Sequence, residues 1–146
     1  MITVADFMTK DLVTVRATDD LALAESLLRL GGIRHLPVVQ DGQLVGLLTQ
    51  RDLLRANTPG RPASRETNVR EAMTPDPTTV RPGASLAHAA RVMLENKFGC
   101  LPVCDEAGKL VGIVTEADFV RFAADVVRDL DIVSEAVRAQ SNAGNA

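Results

Sequence analysis

Ile33-Arg34-His35-Leu36-Pro37-Val38-Val39-Gln40-Asp41-Gly42-Gln43-Leu44-Val45-Gly46-Leu47-Leu48-Thr49-Gln50-Arg51-Asp52-Leu53-Leu54-Arg55 recurs, altered but in order, as the stretch from Phe98 to Arg121. Both copies run an apolar Leu-Pro-Val strand into a glycine turn and return through Leu-Val-Gly to a Thr-x-x-Asp signature, Thr49–Asp52 in one and Thr115–Asp118 in the other. A hydroxyl and a carboxylate three residues apart, where an apolar strand gives way to a helix, is the feature that needs a physical reason.

The duplication extends outward from that stretch. Displacing the chain by 65 positions superposes Val4 on Val69, Met8-Thr9 on Met73-Thr74, Thr14-Val15-Arg16 on Thr79-Val80-Arg81, and Leu36-Pro37-Val38 on Leu101-Pro102-Val103. One inserted residue near Ala107 then keeps Leu44-Val45-Gly46, Thr49, Asp52 and Arg55 on Leu110-Val111-Gly112, Thr115, Asp118 and Arg121. A period this long is too long for a solenoid unit. It describes two copies of one module.

Local patterning gives each copy the same plan. Residues 4–8 read as a helical turn and Thr14-Val15 as a brief strand. Asp19 or Asp20 caps a helix over about residues 20–30, whose Leu21, Ala24, Leu27 and Leu28 share a face, and Gly31-Gly32 end it. Leu36–Val39 and Leu44–Leu48 form a hairpin around Asp41-Gly42, and a helix starts near Gln50. The second copy has Ser85 as cap, Leu86, Ala89, Val92 and Met93 on the apolar face, and strands near 101–104 and 110–114. The expectation is an α/β (α+β) fold of two pseudo-symmetric β-α-β-β-α modules packed through their sheets, with Met8 and Met73 in the core. Module boundaries fall at 1–58 and 69–124. The polar, Pro- and Gly-broken stretch 59–68 is an exposed linker, and 125–146 is a helical extension with a frayed tail from Ser141. Phe119, Ala123, Val126, Leu130, Val133 and Val137 repeat at steps of four and three. That pattern suits either a helix folded back on its own module or one that self-associates.

Composition excludes several functions. A formal charge of -3 and the absence of Trp and Tyr oppose a broad nucleic-acid footprint or a base-stacking platform. No apolar run approaches the roughly 18 residues of a membrane span, and Asp6 interrupts the start where a signal peptide needs an apolar stretch, so the expectation is a cytoplasmic protein. Cys100 and Cys104 are too few for a disulfide framework. With His35 and His88 as the only histidines they make a poor zinc set, and no metal is expected. No nucleophile–base pair and no phosphate loop of the G-x-x-x-x-G-K type is present, which argues against an enzyme and against any required cofactor.

The twin pattern, R-H-L-P-V-V with L-V-G-L-L-T-Q-R-D-L at one end of a module and M-T with T-V at the other, resembles a tandem pair of CBS (cystathionine-β-synthase) domains. The resemblance covers about residues 3–124 and is similar to small stand-alone bacterial proteins made of one such pair. It implies clefts for adenosyl compounds such as AMP, ADP, ATP or S-adenosylmethionine, pairing of two chains into a flat disc, and a regulatory role. No effector region is visible in this sequence, so the regulated partner is expected to be a separate protein. It also implies that each cleft is shared between modules. Carried over by residue, one cleft combines Thr14, Val15, Ile33, Arg34, His35 and Pro37 with Thr115 and Asp118; the other combines Thr79, Val80, Phe98, Gly99, Cys100 and Pro102 with Thr49, Arg51 and Asp52.

Elementary chemistry is compatible with this. A carboxylate in the first turn of a helix can accept both hydroxyls of a ribose, and a helix N-terminus favours a phosphate. The same residues also cap helices with no ligand at all. The copies differ where charge matters: Arg34, His35 and Arg51 correspond to Gly99, Cys100 and Ala117, the last beside Glu116. Arg51 stands beside Asp52, so the Asp52 cleft is the better candidate for a di- or triphosphate. The rival readings are a ligand-free structural dimerisation unit and a nucleic-acid-binding module.

Overall fold

The computed structural model describes residues 1–57 and 67–145. The chain divides into two compact units, Met1–Val114 and Thr115–Ala146. The first contains, in order, α1 (Val4–Phe7), α2 (Leu21–Gly31), β1 (His35–Gln40), β2 (Gln43–Thr49), α3 (Gln50–Ala56), α4 (Val69–Ala72), β3 (Thr74–Pro75), α5 (Leu86–Asn96) and β4 (Cys100–Cys104). It also holds nearly all of β5 (Leu110–Thr115), which leads into α6 (Glu116–Gly144).

Each module is built on an antiparallel hairpin, β1–β2 in the first and β4–β5 in the second. Asp41 and Gly42 both have positive φ, 51° and 79°, which is the backbone a tight two-residue hairpin turn requires. A parallel bridge adds the short strand ahead of each amphipathic helix: Val15 to Val38 and Val80 to Val103. Helix α2 buries Leu21, Ala24 and Leu28 on its module and ends at Gly32, which is left-handed at φ 60°. Helix α5 buries Leu86, Ala89 and Met93 and ends at Lys97, also left-handed. Ser85 caps α5 by accepting from His88 N. Asp20 holds the N-cap position of α2 without a side-chain bond; the neighbouring Asp19 instead accepts from Arg16 N at 2.8 Å, closing the preceding turn.

The modules pack through their sheets about a pseudo-twofold axis, and the pairing exchanges segments between them. Residues 2–9 dock on the second module. Val4 N donates to Ala84 O, Ala5 N to Pro82 O, and Leu86 N to Ile2 O, each at 2.9 Å, and Thr9 pairs with Ile113. The equivalent residues 67–75 dock on the first: Val69 N donates to Asp19 O, Arg70 N to Ala17 O, and Leu21 N to Thr67 O, while Thr74 pairs with Leu47. The two hairpin tips meet on the axis, where Gln43 bridges Lys109. The core of the first module therefore includes Val69, with Ala72 and Met73 packed against it.

Met8 and Met73 are half-buried, and each lies over a glycine of the module that receives it. A Cβ on Gly112 would stand 2.4 Å from Met8 Sδ, and one on Gly46 2.4 Å from Met73 Sδ. The repeated Leu-Val-Gly exists because each sulfur occupies the space a side chain would need.

In the second unit, α6 is 29 residues long. It is helical through Gly144, so Ser141–Gly144 continues the helix instead of fraying; no Pro and no Gly interrupts it before that point. From Val120 to Val137 it exposes large apolar side chains, including Leu130 at 63% and Val133 at 59%. The linker expected at 59–68 falls mostly outside the described residues; within it Thr67 and Asn68 are ordered against the first module.

Candidate functional site

The corner where β2 becomes α3 is built by backbone geometry before any ligand is considered. Thr49 is the last residue of β2 and remains extended, at φ −111° and ψ 164°, as N-cap of α3. Its Oγ1 accepts from Asp52 N at 3.2 Å, and Asp52 Oδ2 accepts from Thr49 N at 2.9 Å and from the Thr49 hydroxyl at 3.0 Å. This is a reciprocal capping box. It explains how a carboxylate only 7% exposed is tolerated: two donors aimed at one oxygen offset its desolvation. The other oxygen, Oδ1, has the Arg55 guanidinium at 3.9 Å.

The corner of the second unit repeats the device. Asp118 Oδ2 accepts from Thr115 N at 2.9 Å and Asp118 N donates to Thr115 Oγ1 at 3.3 Å. Here Oδ1 is held more firmly, by a 3.1 Å bond from Arg121 Nη2.

Thr-x-x-Asp is not by itself a ligand signature. Thr3 and Asp6 form the same box at α1, and Asn68 and Glu71 form its analogue at α4. Asp6 is exposed, and the Thr3 backbone and side-chain donors hold its carboxyl below the usual carboxylate range. What distinguishes Asp52 is burial at a corner that residues of both modules reach. His35 lies opposite Thr49 in the β1–β2 ladder, and Gln50 N donates to Arg34 O at 3.1 Å. The His35 ring rests on Gly99 of the second module, with Nε2 2.8 Å from where a Cβ would stand. His35 thus links Gly99 to Thr49, by its ring on one side and by the strand ladder on the other. Arg34 and His35, which the resemblance groups with Thr115 and Asp118, stand at the Thr49 corner.

The remaining residues from the sequence divide by burial. Thr14 and Thr79 are exposed just before the buried Val15 and Val80, while Ile33, Phe98 and Gly99 are half-buried at the start of the hairpins. Pro37, Pro102 and Cys100 are buried. The proline rings face the core, and their carbonyls accept from Val15 N and Val80 N at 3.1 Å. Arg34 and Arg51 are exposed at the α3 corner, whereas the equivalent positions of the second copy are Gly99 and Ala117 beside Glu116. Burial, aided by the Asp105 carboxylate, raises the Cys104 thiol above its usual range despite Arg81. Among the described residues no group of three His, Cys, Asp or Glu is placed to hold a metal ion, and no helix is long and apolar enough to cross a membrane.

With this fold and these corners in view, the CBS-domain model matches residues 4–58 and 69–125. The chain belongs to the CBS-domain family, as a tandem pair. It is 33% identical to the chloroplastic CBS domain-containing protein CBSX2 of Arabidopsis thaliana, across 88% of this chain and 66% of that protein. The structure of CBSX2 in complex with AMP superposes with a TM-score of 0.78 at 34% identity, covering 86% of this chain and 99% of that one. The CBS domain pair of protein MJ0100 in complex with 5'-methylthioadenosine and S-adenosyl-L-methionine gives 0.75 at 28% identity, covering 86% and 98%. An inosine-5'-monophosphate dehydrogenase of Korarchaeum cryptofilum is 37% identical over 77% of this chain, which spans only 22% of that enzyme's length.

Proposed function

We propose that this chain is a regulatory module, not an enzyme, and that it binds adenosyl ligands of the AMP, ADP, ATP or S-adenosylmethionine type in the clefts between its modules. The observation that carries this is the buried Asp52 carboxylate, held by Thr49 at a corner that Gly99 and His35 reach from the two modules. Related CBS pairs in complex with AMP and with S-adenosylmethionine support the ligand class. In this reading Asp52 accepts the ribose hydroxyls through Oδ1, for which the Arg55 guanidinium at 3.9 Å is a weak competitor.

The corners serve different ligands. Arg34 and Arg51 are exposed at this corner and His35 pairs with Thr49 in the strand ladder, cationic and donor groups suited to a phosphate chain, so AMP, ADP or ATP binds there. At the second corner Asp118 accepts a ribose only by releasing Arg121, and Glu116 repels a phosphate, so it takes a less charged adenosyl compound or none. Thr14 and Val15 on one side, and Thr79, Val80 and Phe98 on the other, supply the walls. Ligand changes the relation between the modules, or between two paired chains, and a separate effector protein in the cytoplasm reads that difference. This operates only through unequal affinity for the two states.

A thermal-shift panel of AMP, ADP, ATP and S-adenosylmethionine tests the reading. A true ligand stabilises the fold by about 2.7 kcal/mol at roughly 100 times its dissociation constant. A ligand-free structural dimerisation unit shows no shift with any of them, and a nucleic-acid-binding module instead shows salt-sensitive retardation of DNA or RNA.

A further inference from the structure

We infer that α6 is a self-association helix and that its occupant is α6 of a second copy, running antiparallel. This names the surface for the pairing of two chains proposed above, and rests on that pairing. Over its 29 residues, about 43 Å of helix, α6 carries exposed Val126, Leu130, Val133 and Val137, at 39–63%, on the stripe that also holds Phe119 and Ala123. Covering that stripe with a copy buries on the order of 500 Å² per chain, more than half the roughly 800 Å² per partner of a standard interface.

Size selects the orientation. In an antiparallel pair with layers of a against d, Phe119 meets Val137, Ala123 meets Val133, and Val126 meets Leu130, so every layer joins residues of complementary size. A parallel pair would stack Ala123 on Ala123 and Phe119 on Phe119, leaving a gap beside a crowded layer. Asp129 falls near its own counterpart at the centre, where Arg128 Nε, 3.7 Å from Asp129 Oδ1, offsets the like charge.

The test uses the full chain. Sedimentation equilibrium of the parent is expected to show a dimer at micromolar concentration. The Val126→Glu/Leu130→Glu variant, changed only at exposed positions, should keep its helical circular dichroism and associate at least about tenfold more weakly. Ala123→Cys/Val133→Cys should oxidise to a covalent dimer, because residues ten apart on one helix are too distant to join internally. Association unchanged in the Glu variant would leave chain pairing standing and overturn α6 as its surface. A parent that stays monomeric overturns both. Oxidative dimers from Leu130→Cys alone, with none from the double-cysteine variant, would overturn the antiparallel register.

Discussion

At the residue scale, Gly46 and Gly112 do as much for the fold as any side chain. Met73 and Met8 fill the space over them, so Gly112→Ala forces the Met8 sulfur out of its seat and should cost about 1–3 kcal/mol, the usual range for overpacking. A melting curve measures the loss, and pairing the change with Met8→Ala should recover part of it. Cys104 makes a second prediction. It is 5% exposed, and burial raises its thiol. Its folded pKa lies above the unfolded one, so its contribution to stability is whole below the ordinary thiol pKa and declines as pH rises through the folded value. Alkylation of Cys104 at neutral pH should therefore be slow in the native protein and fast in denaturant; equal rates would contradict its burial. Both glycines repeat visibly in the sequence, but the sulfurs above them come from 27 positions away for Gly46 and 104 for Gly112, and no local pattern announces that contact.

At the element scale, the exchange of residues 2–9 and 67–75 decides which pieces stabilise which module. Val4 and Val69 are both fully buried, each in the module to which it does not belong by sequence. Val4→Ala and Val69→Ala should each cost roughly 2 kcal/mol. Hydrogen exchange should locate the damage: Val4→Ala should speed exchange near residues 82–89, and Val69→Ala near residues 17–24. Faster exchange near residues 11–20 for Val4→Ala would contradict the exchange of segments. The hairpins, the two amphipathic helices and the junction at Thr49 were legible from periodicity, turn chemistry and the internal repeat. The exchange was not, because a repeat of 65 positions reads identically whether its first residues pack on their own copy or on the other. The two-residue β3 and the one-residue bridge at Thr9 are also too short to leave a pattern. In the site, Thr-x-x-Asp was visible as a duplicated motif, and its capping role could be derived. That Arg34 and His35 gather at Thr49 depends on the β1–β2 register, where His35 faces Thr49, and the one-chain sequence pattern does not carry that register.

At the scale of the whole molecule, a pseudo-twofold frame presents two corners of the same construction and different charge. Symmetry in the backbone, maintained by paired bridges such as Thr3–Ser85 and Asp20–Asn68, leaves the side chains free to diverge, and the proposed function assigns the two corners different ligands. Arg51 beside Asp52, against Ala117 beside Asp118, is the divergence on which the proposed regulation turns. The most direct test is isothermal titration of AMP and ATP into the parent chain, Asp52→Ala and Asp118→Ala. The account predicts measurable binding by the parent, a loss of at least about tenfold in Asp52→Ala, and little change in Asp118→Ala. Equal losses in both variants, or no heat from any nucleotide with the parent, would contradict it.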